Sequence, residues 1–246
     1  MESSGTNMQI LNRDIIKYIA VFAMLLNHVA RIFLPTGSAP ALVFEFIGYF
    51  TTPTMCYFLV EGYRYTGSKK RYGQRLLFFA VISQIPFSLA FQLNNLNMIY
   101  TLLCCFLILV VKEKIQDQFL QSVLSISLTF ATMVADWALV APVFTILFHD
   151  SGGERRGLAR GYIVGYAFYA FAMIQSYMIE SGYAMQEAVL LGLLSGTGIA
   201  ASAIVILFCY NGKRARRGRT FSKWFFYIFY PGHLLVLYLL KRFVTG

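Results

Sequence analysis

DIIKYIAVFAMLLNHVARIFL, from Asp14 to Leu34, is an almost unbroken apolar stretch carrying Asp14, Lys17 and His28. A bilayer core takes about 20 helical residues, so the stretch reads as a membrane span. An ionisable side chain inside such a span costs on the order of 3 kcal/mol, so it faces protein and has a task there. Lys17 and His28 are eleven positions apart. At roughly 100° per residue that is three turns plus about 20°, so both point the same way, with Asp14 within about 60°. A rise of about 1.5 Å per residue sets His28 roughly 16 Å deeper than Lys17. The sequence therefore predicts a polar track along one face of the first span, opening onto an internal cavity.

The rest of the chain agrees with a membrane setting. It has 246 residues, 58% hydrophobic, 17% aromatic and only 13% charged, with a mean hydropathy of +0.61. Soluble domains carry nearer 25% charged residues. The composition excludes a soluble core, and no polar stretch is long enough for a separate soluble domain. A formal charge of +10 in this context reads as loop charge that fixes orientation and meets anionic lipid, with no nucleic acid as partner. Cys56, Cys104, Cys105 and Cys209 all sit in apolar runs without paired spacing, so neither a metal site nor a disulfide framework is expected. The first apolar run is too long for a cleaved signal and is expected to stay as a span.

Nine spans are expected, roughly 14–34, 43–60, 76–93, 97–111, 119–134, 137–148, 161–179, 188–210 and 224–243. They form one transmembrane domain, 14–243, after a short cytoplasmic segment, 1–13. The fifth and sixth are short and nearly abut, and Pro142 marks local irregularity there. With the N-terminus inside, 18 of the 21 basic residues fall on the inner side, all but Arg31, Lys241 and Arg242. That asymmetry favours an odd number of spans, N-terminus cytoplasmic and C-terminus outside. The fold class is thus an all-α polytopic bundle in the cell membrane.

Other ionisable residues join the first-span trio. Glu61 ends the second span on the inner side and needs a partner, with Arg64, Arg75 and Lys17 in reach. His233 lies in the last span, about 14 Å from its start at Trp224, next to Pro231, which is expected to break the helix and free carbonyls toward a cavity. His233 is placed to hydrogen-bond His28 or to touch a substrate. Asp136 falls in the tight fifth-to-sixth connection, either capping the sixth helix or meeting a substrate. Asp14 is placed to cap its own helix and complement its dipole. Asn97 and Thr101, one turn apart, are set to bond across helices. His149 reads as loop.

Five blocks then carry a family likeness: DIIKYIAVFAMLLNH in the first span, EGYRYTGSKKRYGQRLLFFAVISQIPF at 61–87, LNMIYTL at 96–102, ADWALVAPVFTILF at 135–148 and FFYIFYPGHLLVLYLLK at 225–241. In this order they resemble the TraX family, named for the F-pilin N-acetylase and related to the acyltransferase-three superfamily. The Lys17–His28 pair is similar to the superfamily's basic-residue-to-histidine motif, with Lys where Arg is usual. Where TraX-like chains often read Asp-His, this one reads Asn27-His28, so any carboxylate orienting the imidazole must come from elsewhere.

The resemblance implies transfer of an acyl group, expected to be acetyl, from acyl-coenzyme A to an amine or hydroxyl. The acceptor is expected to be membrane-associated or exported: a peptide, a pilin N-terminus or a glycan. Acetyl-CoA is then the donor substrate and no metal is needed. Imidazole suits the task because it exchanges protons near neutral pH and is a competent nucleophile. On this reading His28, Lys17 and Glu61 are the catalytic residues, with His28 moving the proton or carrying the acyl group. Asp14, Arg64, Arg75, His233 and Asp136 bind substrate or cofactor, and the cations of GSKKRYGQR, among them Lys69, Lys70 and Arg71, suit phosphate. The residues alone leave blander roles open: an interhelical hydrogen bond for His28, an interfacial anchor for Lys17. Two rivals use the same sequence, a proton-coupled transporter or flippase and a non-catalytic assembly factor for surface peptides.

Overall fold

The computed structural model describes residues 9–245. Of the expected N-terminal segment, residues 1–8 lie outside the described residues. The chain forms α1 (Arg13–Phe33), α2 (Ala39–Gly48), α3 (Thr51–Tyr65), α4 (Lys69–Phe91), α5 (Met98–Lys114), α6 (Gln118–Ala131), α7 (Val140–Asp150), α8 (Arg155–Ile179), α9 (Met185–Ser195), α10 (Thr197–Ile204) and α11 (Arg219–Thr245). No strand occurs among the described residues; two isolated bridges are the only β pairing. The protein is an all-α, multi-pass protein of the cell membrane.

Among the described residues helical rods, two of them broken, lie over each of the nine stretches expected as spans. Residues 39–65 are α2 and α3 around Tyr49 and Phe50, and 185–209 are α9, α10 and a closing π turn over Val205–Cys209. Six rods are long and apolar enough to cross a bilayer: Arg13–Phe33, Ala39–Tyr65, Lys69–Phe91, Arg155–Ile179, Met185–Cys209 and Thr220–Val244. The rods of α5, α6 and α7 are shorter.

The helix starts follow local chemistry. Asn12 caps α1 by accepting from the N–H groups of Asp14 and Ile15, so the expected cap, Asp14, sits inside the first turn, where its charge still complements the dipole. Asn97 caps α5 in the same way. Pro142 lies in the first turn of α7, where a missing N–H costs nothing. The irregularity expected of it falls just before, at Trp137 and Leu139, whose φ angles are +59° and +61°. Left-handed backbone at such bulky side chains is strained and persists only where surroundings enforce it. His149, expected in a loop, closes the last turn of α7 and bonds to Asp150.

α3 is the central rod. Ten of its fifteen residues are buried, because it touches α1, α5, α7 and α10. Around it runs a ring in the order α1, α11, α4, α5, α7, α8, α9 and α2, closing back on α1. α6 packs outside on α5, with no buried residue in the helix. Lipid offers no hydrophobic drive between helices, so small residues set the close approaches. Gly198 of α10 lies so near the backbone of Phe46 and Phe50 that an added Cβ would strike both.

α1 and α11 run side by side in the same direction. Tyr18 meets Phe225 and Phe226, with its Oη 3.1 Å from Ser222 Oγ; ten residues further along α1, His28 meets His233, eleven residues beyond Ser222 on α11. The first and ninth rods are thus parallel neighbours.

Candidate active site

His28 is 4% exposed and His233 is 7%. Their rings stack at 5.0 Å between centroids, with His28 Nδ1 2.8 Å from His233 Nε2. His233 Nδ1 lies 2.7 Å from the carbonyl oxygen of Phe229. A carbonyl only accepts, so His233 Nδ1 must donate to it, which leaves Nε2 of a neutral His233 as the acceptor. His28 Nδ1 then donates to that nitrogen. The chain of two bonds fixes His28 with its lone pair on Nε2, which has no hydrogen-bond partner among the described residues. The oriented base is therefore made by a second histidine. Asn27 turns the other way, donating to the carbonyl of Glu45 at 3.4 Å.

Pro231 does not break α11, which runs unbroken to Thr245. Pro231 removes one N–H, and a membrane helix absorbs that loss through neighbouring packing and side chains. Beyond the histidine pair, Phe91 meets His28 edge-on at 5.1 Å and carries the Arg31 guanidinium at 4.7 Å. Arg31 Nη1 lies 3.7 Å from Asp136 Oδ1. Asp136 therefore does not cap α7, whose N-cap position is Leu139. Its backbone is clasped instead: its N–H donates to Leu96, and its carbonyl accepts from Thr101 Oγ1 at 2.7 Å. Thr101 and Asn97 thus bond between segments as expected, Asn97 Nδ2 donating to the Ala80 carbonyl at 2.7 Å.

At the opposite end lies a cavity of about 480 Å³ between α1, α3, α4, α5 and α11. Its mouth carries Arg13, Asp14, Lys17, Arg75, Arg214 and Lys223; its inner end is Val21, Met24, Met55, Met98, Ile99 and Tyr230. Lys17 Nζ stands 4.8 Å from the Phe226 ring centroid, and no carboxylate among the described residues lies within ion-pair distance of it. Arg75 has its Nε buried without a partner. Its guanidinium carbon lies 5.6 Å from the Tyr72 ring centroid, and the free Nε–H can donate to an anion's oxygen.

A second cavity of about 710 Å³ adjoins the first and shares Arg13, Tyr65 and Arg214 with it. Glu61 lines it. Glu61 pairs with none of the three cations expected for it: Arg13 Nε lies 3.8 Å away and Tyr210 Oη donates at 2.7 Å. Arg64 instead donates to the His149 carbonyl at 2.8 Å, stopping the end of α7. Asp14 Oδ2 accepts the Ala215 N–H at 2.8 Å, so it holds the segment before α11.

The expected track is thus only partly continuous. Lys17 and His28 both face α11, as helical geometry requires. Lys17 lines the cavity and His28 does not; Tyr230 stands between, its ring 6.4 Å from that of His28 and 5.7 Å from that of His233. Tyr230, Tyr210, Arg13 and Arg214 were not among the expected site residues. The one sequence signal for Tyr230 is its place in Tyr-Pro-Gly-His.

A bundle with a buried, oriented imidazole pair beside a cation-mouthed cavity is a polytopic membrane protein with a chemically equipped interior. The chain belongs to the TraX family: it matches the family described as TraX protein over residues 12–241. It is 30% identical over 241 residues to the probable fimbrial assembly protein FimC, serogroup H1, of Dichelobacter nodosus, covering 93% of this chain and 95% of that one. No solved structure matches.

Proposed function

We propose that the protein is an acyltransferase that takes an acyl group, with acetyl as the expected case, from acyl-CoA in the cytoplasm to an amine or hydroxyl of a fimbrial or pilin-like peptide at the membrane. The observation that carries this reading is the relay from Phe229 through His233 to His28, which leaves His28 Nε2 as an oriented base. The acceptor amine attacks the thioester carbonyl and the C–S bond breaks. The amine proton passes to His28 Nε2 and on to the departing sulfur, so coenzyme A leaves as its thiol. His233 stabilises the transient imidazolium by keeping its acceptor nitrogen on Nδ1–H. The cations at the cavity mouth, Arg75 foremost, offer the phosphates their counter-charge. The positive-inside rule puts that mouth on the cytoplasmic side, where acyl-CoA is found.

Purified protein with radiolabelled acetyl-CoA, with and without peptides bearing a free amino terminus, tests the reading. Label should reach the peptide, and His28→Ala should abolish the transfer. A folded His28→Ala variant with full transfer would sink it. The relative's name favours a second reading, assembly of fimbriae without catalysis. That reading predicts no label transfer and normal fimbriae in His28→Ala cells.

A further inference from the structure

The segment Tyr230-Pro231-Gly232-His233 joins the inner end of the cavity to the histidine pair, and its first residue blocks the way. Tyr230 is 5% exposed and its Oη accepts the Met98 N–H at 3.2 Å. That N–H opens α5, where no carbonyl one turn earlier is available to it. Asn97 serves the next two amides, Ile99 and Tyr100. Tyr230 is therefore pinned by the one first-turn donor that the cap leaves over. Its ring lies edge-on to both imidazoles.

The pin is set beside a give-point. Pro231 has no N–H, so the Tyr227 carbonyl lacks its helical partner, and missing bonds of this kind are where helices bend. A Cβ on Gly232 would meet nothing within 4 Å, so there is slack on that side. Across the cavity, Met24, Met55 and Met98 line the inner end, and methionine is the side chain that repacks most readily.

We propose that Tyr230 is a positioning and specificity-determining residue, a barrier between the donor cavity and His28 that admits only a short acyl group and keeps water from the thioester until the acceptor arrives. This rests on the acyl-transfer reading above. A bend at Pro231 moves the ring off Met98; the acyl carbon then reaches His28 Nε2 while a long chain stays excluded by the same ring.

The test compares wild type, Tyr230→Phe and Tyr230→Ala, each checked by thermal melting. Acetyl-, butanoyl- and octanoyl-CoA are supplied with and without peptide acceptor. Histidine acylation by diethyl pyrocarbonate, read by mass spectrometry, reports access to His28 relative to the surface residue His149. Tyr230→Phe loses only the Met98 bond and should raise acceptor-free hydrolysis several-fold. Tyr230→Ala should improve octanoyl over acetyl turnover at least tenfold and speed His28 modification several-fold. Unchanged chain-length ranking, hydrolysis and His28 modification in both variants would overturn the barrier. If wild type transfers no acyl group from any donor, the enzyme reading fails; faster His28 modification in the variants would still uphold the barrier, and unchanged modification would end it.

Discussion

Asp14 Oδ2 accepts the backbone N–H of Ala215 at 2.8 Å, joining the first turn of α1 to the segment that leads into α11. Nearby, Leu11 and Tyr210 form a parallel bridge, and the Arg13 N–H donates to Lys213. Arg214 of the same segment lines both cavities. Asp14→Ala removes this one charge-assisted hydrogen bond, a loss of about 1–2 kcal/mol. Melting in detergent should fall by about 2–6 °C for a chain of this size, and Asp14→Asn should fall less.

The histidines should fail unequally. His28→Ala removes the base and should cut transfer by about 10²–10⁴-fold, the usual worth of a positioned proton acceptor. His233→Ala leaves the base but frees its tautomer, so the rate should drop by a smaller factor. His233→Gln, which can still accept from His28 Nδ1, should recover part of it. Equal losses in His28→Ala and His233→Gln would show that His233 does more than orient.

The mouth cations should report on donor binding. Arg75→Ala and Lys17→Ala should each raise the KM for acyl-CoA about tenfold, equivalent to about 1.4 kcal/mol, with less effect on kcat. Raising the salt should weaken wild-type binding more than that of the variants. A kcat loss without a KM change would place these residues elsewhere in the reaction.

Glu113 ends α5 and meets Lys69 Nζ at 2.6 Å from both carboxylate oxygens, with the Tyr63 hydroxyl also donating. The Lys69 bond, then the Tyr63 bond, hold its carboxyl below the usual range. A carboxyl depressed on folding contributes stability above its unfolded pKa and loses it as pH falls through the folded value. Melting curves of wild type should therefore drop below pH 4–5, roughly the ordinary carboxylate range, and Glu113→Gln should flatten that drop. The pair is solvent-exposed, so the effect is small and fades with salt.

Gly198 allows the closest helix approach described above. Gly198→Ala places a methyl against the backbone of Phe46 and Phe50, which cannot yield as a side chain can. Its folded yield should collapse, while Gly67→Ala, with nothing within 4 Å of the new methyl, should leave yield within a factor of two. Normal yield from Gly198→Ala would mean that α10 sits further from α2 and α3.

Much of this was legible from the first span. Helical periodicity alone put Lys17 and His28 on one side, and both do face α11. The second intramembrane histidine was visible as a rare, costly residue, and Asn97 and Thr101 were visible from their spacing. Pairing was not legible. Glu61 had several cations within a turn or two, and its choice of Arg13 and Tyr210 depends on how the N-terminal residues fold against the segment after α10. Tyr230 was hidden among sixteen tyrosines, because a ring that plugs a passage reads the same as a ring that faces lipid. The break between α2 and α3 escaped although Gly48 precedes it and Pro53, lacking an N–H, leaves the Tyr49 carbonyl without a helical donor, because single glycines and prolines are also tolerated inside membrane helices.

The two imidazoles are 205 residues apart, one on the first helix and one on the last. The pair therefore exists only once α11 has packed beside α1, a contact between segments far apart in order of synthesis. On the acyl-transfer proposal, a membrane-inserted fragment without α11 lacks both the partner of His28 and the α11 wall of the cavity.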